Sequence, residues 1–131
     1  MRYDIRRIYQ ACLDLGLAAQ SVSDQSIEIN LGHGAVLLFQ NDDQDEDCLM
    51  GFQDTPWHTH DDLMFADARG NYVELNYLDL LRALREGLVL ICELRTDGIL
   101  VDRSLIHSEY NDEFRFLRQG DQVSVRRAVP R

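Results

Sequence analysis

Two histidines separated by a single residue, His58 and His60, stand among three carboxylates, Asp54, Asp61 and Asp62, and beside the chain's one tryptophan, Trp57. In an extended backbone alternate side chains point to the same face, so the two imidazoles would face one way. With Asp61 they would make a two-histidine, one-carboxylate set, the donor chemistry of a divalent transition metal in a binding protein or a metal-dependent enzyme. The same residues support a second reading. An indole exposed among His58, His60, Asp54, Asp61 and Asp62 has the composition of a protein-recognition surface, an aromatic anchor ringed by polar groups. A third reading needs no ligand. Pro56 would stiffen a loop whose Trp57 packs on the core, with the histidines acting as surface or hydrogen-bonding groups.

The histidine pair after Gly51 superficially resembles the first motif of the cupins, but the spacing from the glycine is one residue too long. Met64 and Phe65 stand where that motif places its glutamate, and no second motif follows, so cupin membership is rejected. Other chemistries are excluded more simply. All thirteen basic residues are arginine, which removes Schiff-base lysines and a P-loop lysine. There is no G-x-S-x-G elbow, and Ser104, Ser108 and Cys48 have no neighbours that would activate them. Gly32-His33-Gly34 precedes an apolar strand pattern rather than a helix, so it is a turn and not a phosphate cradle. The acidic segment 41–47 alternates carboxylates as calcium loops do, but counting from Asp42 puts Asp47 where an EF-hand requires glycine. Whether the chain is an enzyme stays open on these grounds.

Charge is the strongest compositional signal. Residues 8–68 contain no lysine or arginine and twelve acids, whereas 69–131 carry ten arginines against ten acids; the net charge is −10. An anionic front repels phosphate backbones and attracts basic surfaces, so a basic protein partner is expected and nucleic acid is not. Cys12, Cys48 and Cys92 are odd in number and far apart, as in a reducing, cytoplasmic setting. The N-terminus lacks the apolar run of a secretory signal, and the longest apolar run, 88–92, is far too short to span a membrane.

The elements that must position these residues follow from periodicity. Residues 4–15 carry Ile5, Ile8, Cys12 and Leu15 on one helical face, with Gly16 as the stop. Cys12 therefore reads as core rather than nucleophile. Residues 77–86 form a second helix, with Asn76 as N-cap, Asp79 three residues on, a Leu78, Leu80, Leu81 and Leu84 stripe and Gly87 beyond. Alternating segments pair as hairpins at 26–31 with 35–39, 63–66 with 72–75, 88–96 with 99–106 around Asp97-Gly98, and 113–118 with 122–128. Residues 49–53 add a strand. The apolar segment 88–92 should be central, and the last hairpin, with Arg115, Arg118, Arg126 and Arg127, a half-solvated edge. At 131 residues the chain is expected to form one domain, 1–131. The class is α+β, with two helices packed on a mainly antiparallel sheet of six to eight strands. The function expected is a small acidic cytoplasmic binding domain, inhibitor-like, taking a basic partner through Asp54, Trp57, His58, His60, Asp61 and Asp62. The alternative is a metal site at His58, His60 and Asp61, and apart from that metal no cofactor is expected.

Overall fold

The computed structural model describes residues 2–42, 44, 47–60, 62–112 and 117–131. Its two helices start and stop where local chemistry dictates. In α1 (Ile5–Leu15) the Asp4 carboxylate accepts from the Arg7 N–H at 3.1 Å, and Gly16 closes the last turn in the left-handed region at φ 73°. In α2 (Tyr77–Glu86) Asn76 accepts from the Asp79 N–H at 2.9 Å, and Gly87 ends the helix at φ 81°. Such caps satisfy backbone groups that a helix leaves without partners. The buried face of α1 is Ile5, Ile8 and Cys12; that of α2 is Leu80, Leu81, Ala83 and Leu84. Leu78, expected in that stripe, is only partly buried.

The fold is α+β, as expected, and the described strands number ten. They do not form one sheet but three. The first is a five-stranded antiparallel meander of β1 (Ala18–Ser23), β2 (Ser26–Asn30), β3 (Val36–Asn41), β4 (Cys48–Phe52) and β5 (His58–Thr59) in sequence order. The second is the hairpin of β6 (Leu63–Ala66) and β7 (Tyr72–Leu75). The third places β8 (Val89–Thr96) between β9 (Ile99–His107) and β10 (Asp121–Arg126). The apolar segment 88–92 thus opens a central strand and β10 is an edge. β10 pairs with β8; its expected partner 113–118 includes 113–116, which lie outside the described residues.

Helix α1 packs against α2, β1 and β2, and α2 against β7 and β8. A single apolar core joins both helices to the sheets, with Ile8, Leu17, Ile29, Phe39, Leu84 and Ile91 among its fully buried members. The C-terminal tail crosses back, its Val129 N–H donating to Leu31 O at 2.9 Å. Among the described residues no helix is long and apolar enough to cross a membrane.

Candidate functional site

The stretch 51–60 is a hairpin at one edge of the meander. Strand β4 runs in, residues 53–57 turn, and β5 returns with His58 opposite Gly51 and Thr59 opposite Met50. Glycine is required at position 51 by space. A Cβ there would lie 2.7 Å from Trp57 O and 3.0 Å from His58 Cβ, so only a bare backbone lets β5 approach.

What pins the turn from below is a buried charge network that spans four parts of the chain. Arg103, on β9, donates from Nη1 to both carboxylate oxygens of Asp54, and from Nε and Nη2 to Glu93 Oε2 at 3.1 and 2.9 Å. Arg126 reaches the other Glu93 oxygen from β10 at 3.0 Å and donates onward to Gly32 O at 2.7 Å. The Arg103 guanidinium also lies over the Phe52 ring, 5.9 Å from its centre, and Thr55 Oγ1 donates to Arg103 O at 3.2 Å. The Arg103 and Glu93 side chains are 4% and 6% exposed, whereas that of Asp54 is 49% exposed. Burial pushes the Glu93 carboxyl up, but hydrogen bonds and charge from Arg103 and Arg126 outweigh it and hold its pKa below the ordinary value. Burial likewise works against the Arg103 charge, and Asp54 and Glu93 overcome it, raising its pKa. Charge pairs buried to this degree persist only when their hydrogen-bonding capacity is met, as it is here.

The indole is not exposed as the recognition reading expected. Trp57 is half-buried and packs on the core, its ring 6.0 Å from that of Phe52. Several described acids of the first half are engaged by neighbouring groups. Asp54 faces Arg103, Glu28 accepts from Gln53 Nε2 at 2.6 Å, Asp14 accepts from Gln10 at 3.0 Å, and Asp67 accepts from Arg69 N and Asn71 N within its own turn. Beside His60 stands the carboxylate of Asp47, the last residue of the acidic segment 41–47. The base of that segment is closed by Asp42 N donating to Asp47 O at 3.0 Å.

Both imidazoles are exposed and lie edge to face, ring centres 5.0 Å apart, as the extended i, i+2 spacing implied. His58 Nδ1 is 2.8 Å from Pro56 O, and His60 Nδ1 is 2.9 Å from Cys48 O. A carbonyl oxygen can only accept, so in each ring Nδ1 carries the hydrogen and the neutral form keeps its lone pair on Nε2. The Cys48 thiol is buried and donates to His60 O at 3.1 Å, stitching the end of β5 to the start of β4. Asp47 Oδ2 stands 3.4 Å from the same His60 Nδ1, both side chains about half exposed at 57% and 51%. Beside them opens a groove of about 430 Å³, lined by Gln40, Asn41, Asp42, Asp47, Cys48 and His60.

The structure therefore brings His58 and His60 together, turns Asp54 away from them toward Arg103, and places Asp62 part-buried just beyond β5. Asp61 lies outside the described residues. Among the described residues no group of three His, Cys, Asp or Glu is arranged to hold one metal ion, and neither imidazole is hydrogen-bonded to a hydroxyl or thiol that could act as a nucleophile. Glu93, Arg103, Arg126 and Asp47 were not singled out by sequence. A charge set immediately after the two-sided apolar segment 88–92 was the signal available for Glu93.

His107 forms a separate polar feature at the end of β9. It is buried against Phe65 and Tyr110, and its Nδ1 accepts from Glu109 N at 3.0 Å and Tyr110 N at 3.3 Å. Burial holds its pKa below the ordinary imidazole value, with Glu109 acting weakly the other way.

Compared with protein-family models, curated proteins and solved structures, the chain matches none.

Proposed function

We propose that this chain is an acidic binding domain whose partner is a basic protein segment, received in the groove between the acidic loop and the His60 end of β5. The observation that carries this reading is the lining of that groove, where Asp42 and Asp47 meet the amides of Gln40 and Asn41. The Asp42 and Asp47 carboxylates are the acceptor type that guanidinium groups pair with, while the buried Asn41 amide is bonded to Tyr3 and Gln25 and holds the groove wall. Arg2 supplies an internal precedent close by. Its guanidinium donates to Asp42 O and to Gln25 Oε1, each at 2.7 Å.

In this reading His60 lines the binding surface, His58 flanks it, and Trp57 supports the loop from behind instead of anchoring the partner. Asp54 serves the same support through Arg103. Asp62, part-buried just beyond β5, adds a further carboxylate to this end of the strand. Cytoplasmic residence belongs to the reading and is supported by the odd number and wide sequence spacing of Cys12, Cys48 and Cys92, all buried. Exclusion of nucleic acid rests on the arginine- and lysine-free span 8–68 that supplies most of the groove.

The test uses an arginine-rich peptide as probe, titrated by calorimetry at low and high salt and mapped by amide chemical shifts. Binding should weaken as salt rises, because exposed charge pairs are screened over about 8–10 Å at physiological ionic strength. Shifts should centre on 40–42, 47–49 and 60, and Asp42→Asn with Asp47→Asn should weaken the complex. Binding that ignores salt, or that maps to another face, would refute the proposal.

A further inference from the structure

We infer that His58 and His60 form a two-imidazole site for a divalent late first-row transition ion, bound through both Nε2 atoms. The site does not depend on the basic-partner reading. Its first support is the tautomer. Backbone carbonyls of Pro56 and Cys48 hold the hydrogen on Nδ1 in both rings, at 2.8 and 2.9 Å, which leaves Nε2 as the donor atom of each neutral imidazole. An Nδ1–H anchored on a carbonyl or carboxylate is the arrangement that orients histidines which bind metals, and Asp47, 3.4 Å from His60 Nδ1, adds a negative charge behind that ring.

The second support is spacing. With metal–nitrogen bonds of about 2.0–2.1 Å and about 1.1 Å from nitrogen to ring centre, two imidazoles at roughly 90–110° have centres about 4.5–5.2 Å apart. The observed separation of the ring centres, 5.0 Å, falls inside that range. Third, the pair sits on a braced hairpin. Gly51 allows His58 to close on β4, and the Cys48–His60 contacts fix the far end. Both rings are exposed, so an ion and its waters have access.

Two imidazoles, with water completing the coordination sphere, suit copper(II), nickel(II) or zinc(II), with copper bound most tightly. This differs from the three-ligand set expected with Asp61. It predicts an exchangeable site with open positions rather than a closed structural one.

The experiment titrates the full chain with copper(II), nickel(II) and zinc(II) chlorides in a non-chelating buffer. Calorimetry supplies the stoichiometry, and electron paramagnetic resonance of the copper form reports nitrogen ligation. About one equivalent of ion should bind, copper ahead of nickel and zinc, with two nitrogens in the copper spectrum. His58→Ala and His60→Ala should each weaken binding by about tenfold or more, and the double variant should bind no stoichiometric copper. Both residues are exposed, so circular dichroism should show the variants folded. Gly51→Ala keeps both histidines but displaces β5, and should also weaken binding. Asp42→Asn, which should weaken an arginine peptide, should leave the metal affinity within about twofold. No stoichiometric ion in the wild-type chain, or affinity unchanged in either single histidine variant, would overturn the assignment.

Discussion

Arg103 gives the sharpest test of how the hairpin is held. Arg103→Met keeps much of the side-chain volume over Phe52 but removes the cation from between Asp54 and Glu93. Taking one partner from a buried pair costs about 3–5 kcal/mol, because the remaining charge stays out of water. Here the remaining charge is Glu93, 6% exposed, which keeps Arg126 at 3.0 Å and Arg95 at 3.8 Å. That residual pairing places the loss at the lower end, about 3 kcal/mol. Asp54 adds little, since a carboxylate 49% exposed can be rehydrated. At about 2.1 cal/mol/K per residue over 131 residues, 3 kcal/mol corresponds to a Tm lowered by roughly 11 °C. Trp57, the only tryptophan and packed beside Phe52, supplies the fluorescence signal for urea unfolding, with thermal scans alongside. Asp54→Asn should cost less than about 1 kcal/mol. Replacing both Arg103 and Glu93 by methionine should recover part of the loss, because no carboxylate then remains buried. A cost under about 1 kcal/mol for Arg103→Met, or an equal cost for Asp54→Asn, would refute a buried charge pair centred on Arg103 and Glu93.

Acid should destabilise the fold in two stages. His107 has a folded pKa below 6.5, so the unfolded chain takes up its proton first, and stability present above pH 6.5 erodes as pH falls below it. Glu93 follows: its contribution is complete above pH 4.5 and is lost as pH falls through its lowered value. Urea midpoints measured from about pH 7.5 down to pH 4 should fall throughout, and His107→Phe should remove the upper stage; a rise on acidification would contradict this. Thiol chemistry offers a separate check. Burial pushes the Cys12 thiol up to about 12, and Cys48 and Cys92 are also buried, so an aromatic disulfide reagent should find no fast thiol in the native chain. All three should react in urea; rapid native labelling of one would show that its site opens.

Much of the architecture was legible because it depends on neighbours in sequence. Asn76 caps α2 since its side chain reaches an N–H three residues on, and Asp97-Gly98 turns a hairpin since both adopt positive φ, 52° and 82°; Asp4, which periodicity placed inside the first helix, instead caps α1 in the same way. The i, i+2 histidines share a face because alternation is a property of any extended backbone. Strand β1 was not legible. Its sequence, Ala-Ala-Gln-Ser-Val-Ser, has no alternating apolar signal, and it is a strand because the edge of β2 is there to pair with.

The charge network shows most clearly what sequence could not decide. A two-residue turn at 97–98 would set Glu93 opposite Asp102, a carboxylate facing a carboxylate. A bulge between Leu94 and Arg95 shifts the register so that Glu93 meets Arg103 instead. Arg103 then meets Asp54, 49 residues away, and Glu93 meets Arg126 from the opposite edge. By itself the sequence determined where helices are capped, where chains turn and which way His58 and His60 face, since those follow from φ, ψ and hydrogen bonds within a few residues. Tertiary structure alone decided how the ten described strands divide among sheets and which charges leave water, because burial depends on register and on segments that meet only when the chain has closed on itself.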